Sequence, residues 1–115
     1  MTQKMVVHIF HADKDSINTG SHVAERIRQI KDQQGVELEV YLFGPAERAL
    51  MDPEAKTYCE TIAGLINAGV PVRTCIDIAN AMGAADELSS RGLQLEYACD
   101  AFARFAVEGA TVISF

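Results

Sequence analysis

The chain has 115 residues, of which 49% are hydrophobic and 23% are charged, and its formal net charge is -6 at pH 7. This composition is typical of one globular domain over residues 1–115 and excludes a disordered or fibrous chain. The acidic excess disfavours a nucleic-acid partner, because phosphate backbones are bound by clustered Lys and Arg. With no membrane-length apolar run and no signal-peptide core at its start, we expect a cytoplasmic protein that binds no membrane.

The first half of the chain predicts a strand, a helix and a second strand. Residues 5–10 form a short apolar run, and residues 36–43 alternate apolar and polar side chains before the turn signal of Gly44 and Pro45. Between these strands, residues 21–33 place apolar side chains at helical spacing.

The second half predicts the same alternation in shorter segments. Helices are expected at residues 54–67, 76–82, 84–91 and 101–108, and strands at residues 70–74, 93–98 and 111–115. We expect Asp100 to cap the last helix. Strands separated by helices pair in parallel and place helices on both faces of the sheet. The predicted fold is therefore a three-layer α/β/α domain with a mainly parallel five-stranded sheet.

Ligands of open parallel sheets bind beyond the carboxyl ends of the strands. The residues expected at this edge are His11, Ala12, Asp13, Lys14, Gly44, Pro45, Ala46, Cys75, Cys99 and Asp100. Candidate functional residues are therefore sought among them.

Cys75 is the leading candidate nucleophile, because it lies between a predicted strand and a predicted helix. A thiolate is stabilised where unpaired backbone N–H groups and the positive end of a helix dipole face it. Arg73, two residues earlier on the same face of the strand, either adds positive charge or points to solvent. Asp77 opposes the effect if it turns inward. The alternative is that Cys75 is a small apolar residue that packs beneath a turn.

The other two cysteines are expected to pack. Cys99 lies at a similar junction, but the neighbouring Asp100 disfavours a thiolate by like-charge repulsion. Cys59 lies on the apolar stripe of its helix and is predicted to be in the core. If the third and fourth strands are neighbours, the thiols of Cys75 and Cys99 approach disulfide distance.

His11 is either a base or substrate-orienting group for the edge or a loop histidine in solvent. The dispersed histidines and cysteines have no recognised ligand spacing, so neither a metal nor another cofactor is expected. The segment 11–22 links a strand to a helix but lacks the glycine spacing of a phosphate loop. We expect it to be a polar crossover loop.

Three stretches, EVYLFGPA, LINAGVPVRTC and FARFAVEGATVISF, resemble the DsrE/DsrF-like (YchN-like) family of small α/β proteins, and the resemblance runs from Val6 to Phe115. Its most specific part is AGVPVRTC, where Cys75 falls on the position that sulfur-relay members use to carry a persulfide. The resemblance implies a homo-oligomer, a trimer or hexamer, that passes sulfane sulfur between proteins. Cys99 departs from it, since a small residue such as Gly is expected there.

The sequence therefore predicts a small sulfur carrier or sulfurtransferase. Cys75 accepts sulfane sulfur from a donor protein and passes it to an acceptor protein, with His11 and Arg73 as helpers. One alternative is a non-enzymatic oligomeric module that binds a small anion or nucleotide at the same edge, for which Cys75 is dispensable. Another is a scaffold whose subunit contacts, with Phe102 and Phe105 as candidates, are the whole function.

Overall fold

The computed structural model describes residues 2–115, which form a five-stranded sheet and six α-helices. The strands are β1 (Gln3–Ile9), β2 (Val36–Leu42), β3 (Val72–Thr74), β4 (Gln94–Leu95) and β5 (Thr111–Ser114). The helices are α1 (Lys14–Gln34), α2 (Pro45–Arg48), α3 (Lys56–Asn67), α4 (Ile76–Ala81), α5 (Ala85–Ser90) and α6 (Ala98–Val107). The strand order is β4-β3-β2-β1-β5 and every pair is parallel. The predicted α/β fold with five strands is confirmed.

The two faces of the sheet bury separate apolar clusters. The larger cluster lies against α1, α3, α4 and α5 and includes Val7, Ala24, Val40, Leu65, Ala79 and Leu88. On the other face, Val6, Tyr41 and Cys75 pack with Ala101 and Phe105 of α6. Successive side chains of a strand point to opposite faces, so β1 and β2 feed both clusters, as buried parallel strands do.

Helix α1 begins at Lys14 rather than at residue 21, so the prediction of a polar loop over residues 11–22 is wrong. Asp13 is the N-cap residue: its carboxylate accepts hydrogen bonds from the backbone N–H of Ser16 (3.1 Å) and from the Ser16 hydroxyl (2.8 Å). The first turns are mostly polar because they bury only Ile17 before Gly20. Because these turns carry few apolar side chains, hydrophobic periodicity does not predict them, whereas the Asp13 cap marks where the helix begins.

Helix α6 begins at Ala98 rather than at residue 101, and β4 has two residues instead of the predicted 93–98. Strand β3 ends at Thr74, which pairs with Leu95, so β4 has no partner strand on which to continue to residue 98. Tyr97 is the N-cap residue and Asp100 lies in the first turn, so the predicted cap is wrong. The earlier start places residue 99 in the first turn of α6.

A buried carboxylate holds α6 against the sheet. Glu39 of β2 is 1% exposed and is paired with Lys4 (2.8 Å), Arg73 (3.0 Å) and Arg104 of α6 (2.6 Å). Burial raises the pKa of Glu39, but the hydrogen bonds from Arg104 and Lys4 and the charge of Arg73 outweigh it and lower the pKa to about 2. Arg104 also binds Glu96 (2.8 Å), so one guanidinium links β2, α6 and the segment after β4.

Replacing Arg104 is expected to weaken this attachment. Arg104→Met should lower the free energy of unfolding by about 2 kcal/mol, because it removes one of the three cations that stabilise a buried carboxylate. The control is Lys56→Met, which breaks only an exposed contact with Glu60 (3.9 Å) and should change the same quantity by less than ~0.5 kcal/mol. Equilibrium urea unfolding measures both, and equal effects would contradict the assignment.

Candidate functional site

A groove of about 510 Å³ lies at the carboxyl edge of the sheet, where β2 and β3 end beside the start of α6. We call it the thiol groove, because it contains two of the three cysteines. Its lining residues are Phe43, Cys75, Asp77, Ile78, Tyr97, Ala98, Cys99 and Asp100. Parallel strands all end at the same edge, so segments distant in sequence converge at this groove.

Cys75 occupies the junction that the sequence predicts and is also tightly packed. It lies between β3 and α4, lines the thiol groove and is 4% exposed. Its side chain makes no capping hydrogen bond, and its backbone N–H donates to Oε1 of Glu47 (3.0 Å). Cys75 is therefore nearly buried and borders the open space of the groove.

Glu47 was not among the sequence candidates, yet it is fully buried beside Cys75. Oε1 of Glu47 accepts the Cys75 N–H, and the buried hydroxyl of Thr74 lies beside the same carboxyl. Burial raises the pKa of Glu47 to about 7, although the hydrogen bond from Cys75 acts in the opposite direction. The backbone next to the thiol is therefore attached to a carboxyl that titrates near neutral pH.

Aromatic side chains form the walls of the groove and the layer beneath it. Tyr41 is fully buried and donates its hydroxyl hydrogen to the carbonyl of Glu96 (2.7 Å), and burial raises its pKa. Phe102 of α6 is 38% exposed, with its ring centroid 5.7 Å from that of Tyr41 and 6.0 Å from that of Phe43. Tyr97 is 46% exposed at the edge of the groove. The walls are mostly apolar and one side is open.

His11 and Arg73, the other two predicted catalytic residues, do not line the thiol groove. His11 is exposed, and its ring packs edge-on against Phe10 with 5.2 Å between centroids. Arg73 is paired with Glu39 and lines a separate groove of about 440 Å³ at the amino edge of the sheet. Of the three, Cys75 alone lies in the groove.

Cys99 is exposed and lines the same groove as Cys75, so the expectation that Cys99 packs is wrong. The reason is the start of α6 at Ala98, which puts Cys99 on the surface of its first turn. Strands β3 and β4 are neighbours, which brings the segments of both thiols to one edge. Cys59 is half-buried away from this groove, where its thiol donates to the carbonyl of Leu50 (3.5 Å) and burial raises its pKa.

The ionisable side chains of the thiol groove other than its cysteines and Tyr97 are carboxylates. Asp77 and Asp100 line the groove, whereas none of its lining residues is a Lys, Arg or His. A concave surface with charge of one sign repels ligands of that sign. Within residues 2–115, no group of three or more His, Cys, Asp or Glu side chains is arranged to hold a metal ion. No helix in the same range is both long and apolar enough to cross a bilayer.

No protein-family model and no curated protein matches the chain. Solved structures of small α/β proteins have the same fold as this chain. The chain is similar to a conserved protein of unknown function, BT1422, from Bacteroides thetaiotaomicron, with a TM-score of 0.78 and 14% identity over 98% of this chain and 95% of that one. It is also similar to MTH1491 from Methanobacterium thermoautotrophicum, a protein of unknown function, with a TM-score of 0.71 and 20% identity over 98% and 99%.

The ychN protein of E. coli is similar over 100% of both chains, with a TM-score of 0.70 and 16% identity. At these identities the likeness shows the fold alone. It agrees with the YchN-like, DsrE/DsrF-like fold that the sequence resemblance implies.

Glu47 is expected to make stability depend on pH near neutrality. The pKa of Glu47 is raised from 4.5 to about 7 in the folded chain. Its contribution to the stability of the fold is therefore fully present below pH 4.5 and is lost as the pH rises through 7. Glu47→Gln cannot ionise and keeps an oxygen for the Cys75 N–H. The free energy of unfolding of Glu47→Gln, measured relative to that of the wild type, should therefore rise by about 2 to 3 kcal/mol between about pH 5 and about pH 8.

Urea unfolding of both proteins at the two pH values measures this difference. Comparing the two proteins cancels the contribution of His8, whose pKa burial lowers. Parallel pH profiles would show that Glu47 does not titrate in this range.

Proposed function

We propose that this protein is a sulfur carrier in which Cys75 accepts a sulfane sulfur from a donor persulfide and passes it to the thiol of an acceptor. The observation that carries the proposal is the Cys75 thiol itself, placed between β3 and α4 in a mostly apolar groove at the carboxyl edge of a parallel sheet. The resemblance of AGVPVRTC to the persulfide-carrying segment of sulfur-relay proteins supports the same role.

The reaction is a thiol exchange that needs no outside oxidant. The thiolate of Cys75 attacks the outer sulfur of a donor persulfide, R–S–SH, and forms a new S–S bond while that of the donor breaks. The donor leaves as a thiolate and takes up the proton that Cys75 released. Cys75 then holds a persulfide, and attack by an acceptor thiol on its outer sulfur returns Cys75 to the thiol form.

The groove suits storage of such a sulfur. A space of about 510 Å³ has room for one added sulfur atom, and the burial of Cys75 limits contact between that sulfur and large reductants. Asp77 and Asp100 lower the local concentration of anionic donors such as thiosulfate and polysulfide without excluding them, so at equal concentration a persulfide presented by a protein is the better donor. The proposal assigns no chemical step to His11 or Arg73, because neither lines the groove.

The proposal includes protein partners: a sulfur donor, an acceptor, and further copies of this chain as a trimer or hexamer in the cytoplasm, where cysteines remain free thiols. Self-assembly is supported by β5, an edge strand of the sheet whose four residues are all exposed, among them Val112 and Ile113. An exposed strand edge with apolar side chains is a surface on which another chain can pair.

Loss of the Cys75 thiol should abolish stable sulfur loading. After incubation with glutathione persulfide, removal of excess donor and a short chase with free glutathione, Cys75→Ser should retain about tenfold less cyanide-labile sulfur than the wild type, because the chase strips exposed persulfides and the sheltered position is lost. Cys59→Ser, the matched control, should hold the wild-type amount, since its thiol lies outside the groove. Equal loading of the Cys75 variant, or no loading of any variant, would refute the proposal.

The alternative of an anion- or nucleotide-binding module is disfavoured by the two carboxylates of the groove. We expect inorganic phosphate and ATP to leave the melting temperature of the wild type unchanged, because a ligand raises it only by binding the folded state. Differential scanning fluorimetry over a concentration series measures this. A saturable rise that persists in Cys75→Ala would favour the alternative instead.

A further inference from the structure

The structure exposes Cys99, which the sequence predicts to pack, and places it in the lining of the thiol groove. We infer that Cys99 is a second sulfur-carrying residue, the entry thiol, which exchanges sulfur with partner proteins and relays it to and from Cys75 through the thiol groove. The inference rests on the proposed function of Cys75 and identifies the route by which sulfur reaches it.

Access is the first step of the argument. Cys75 is 4% exposed and packs among Val6, Tyr41 and Phe105, so a persulfide carried on a folded protein cannot approach its thiol closely. Exchange requires direct contact between the attacking sulfur and the sulfur that is transferred. A thiol that is both buried and engaged with protein partners therefore needs an intermediate.

Cys99 meets that need. It is exposed on the first turn of α6, and it lines the same groove as Cys75. The two thiols thus share one space of about 510 Å³, with the Cys99 end open to solvent and the Cys75 end enclosed. Phe43 and Ile78 contribute apolar surface to this space beside the two cysteines.

The relay is chemically balanced. A partner persulfide first transfers its outer sulfur to Cys99, and the partner leaves as a thiol. The thiolate of Cys75 then attacks the outer sulfur of the Cys99 persulfide, forming Cys75–S–SH while the S–S bond of Cys99 breaks and its sulfur recovers the proton. The steps are reversible, so Cys99 also serves as the exit. No oxidant or reductant is consumed.

The test compares a large and a small donor in a Cys59→Ser background, which leaves only the two thiols of the groove. Persulfidated serum albumin cannot enter the groove, whereas inorganic polysulfide can. Sulfur on each cysteine is followed over time by quenching, digestion and peptide mass analysis. Because Cys99 is exposed, its replacement by Ser should leave the fold intact, and the melting temperature verifies this.

With albumin as donor, loading of Cys75 should be about tenfold slower in Cys99→Ser than in the background protein, whereas with polysulfide the two rates should agree within about twofold. In Cys75→Ser, the sulfur from albumin should remain on Cys99.

The relay alone is overturned if Cys99→Ser accepts sulfur from albumin at the background rate, or is slowed equally with both donors. It is also overturned if loading releases sulfide and leaves a Cys75–Cys99 disulfide, since Cys99 or Cys75 would then have attacked the inner sulfur of the other. If Cys75 takes up no sulfur from polysulfide in any variant, the proposed function itself fails and the relay fails with it.

Discussion

The thiol groove depends on the attachment of α6 to the second face of the sheet. The groove lies between the first turn of this helix and the ends of β2 and β3, so its width is set by how closely α6 packs. Two contacts fix that distance: Phe105 packs in the cluster of Tyr41 and Cys75, and Arg104 is paired with the buried Glu39. If α6 were displaced, Cys75 would lie on an open sheet face instead of in an enclosed space.

The groove has electrostatics unlike those of an anion site. Asp77 and Asp100 lie around its opening, and the buried Glu47 binds the backbone of Cys75 from the protein interior. The cations around Glu39, namely Lys4, Arg73 and Arg104, form ion pairs with it in a separate groove at the opposite edge of the sheet. A carrier that receives sulfur from a docked protein has no need of cations in the groove, whereas a module that holds phosphate does.

Local patterns predict much of this fold and only part of its site. The alternation of strands and helices and the junction at Cys75 follow from residue periodicity, which local sequence encodes. The burial of Glu47 does not, because a charged residue after a Gly-Pro turn is typical of an exposed helix, and its partner is the N–H of a residue far along the chain. Arg73 was correctly placed on the face of Cys75, but its partner Glu39 lies on another strand and directs it to the opposite edge.

The start of α6 explains why Cys99 is exposed rather than packed. Its position depends on the length of β4, which is limited by the three residues of β3 and thus by pairing between strands rather than by local sequence. Because α6 begins at Ala98 and exposes Cys99, a packed Cys75 and a sulfur-carrying Cys75 are no longer exclusive alternatives. A thiol can pack as an apolar residue and still carry sulfur, provided that a second, exposed thiol opens onto the same groove. In the proposed relay, burial of Cys75 protects the stored sulfur, and exposure of Cys99 supplies the contact that burial prevents.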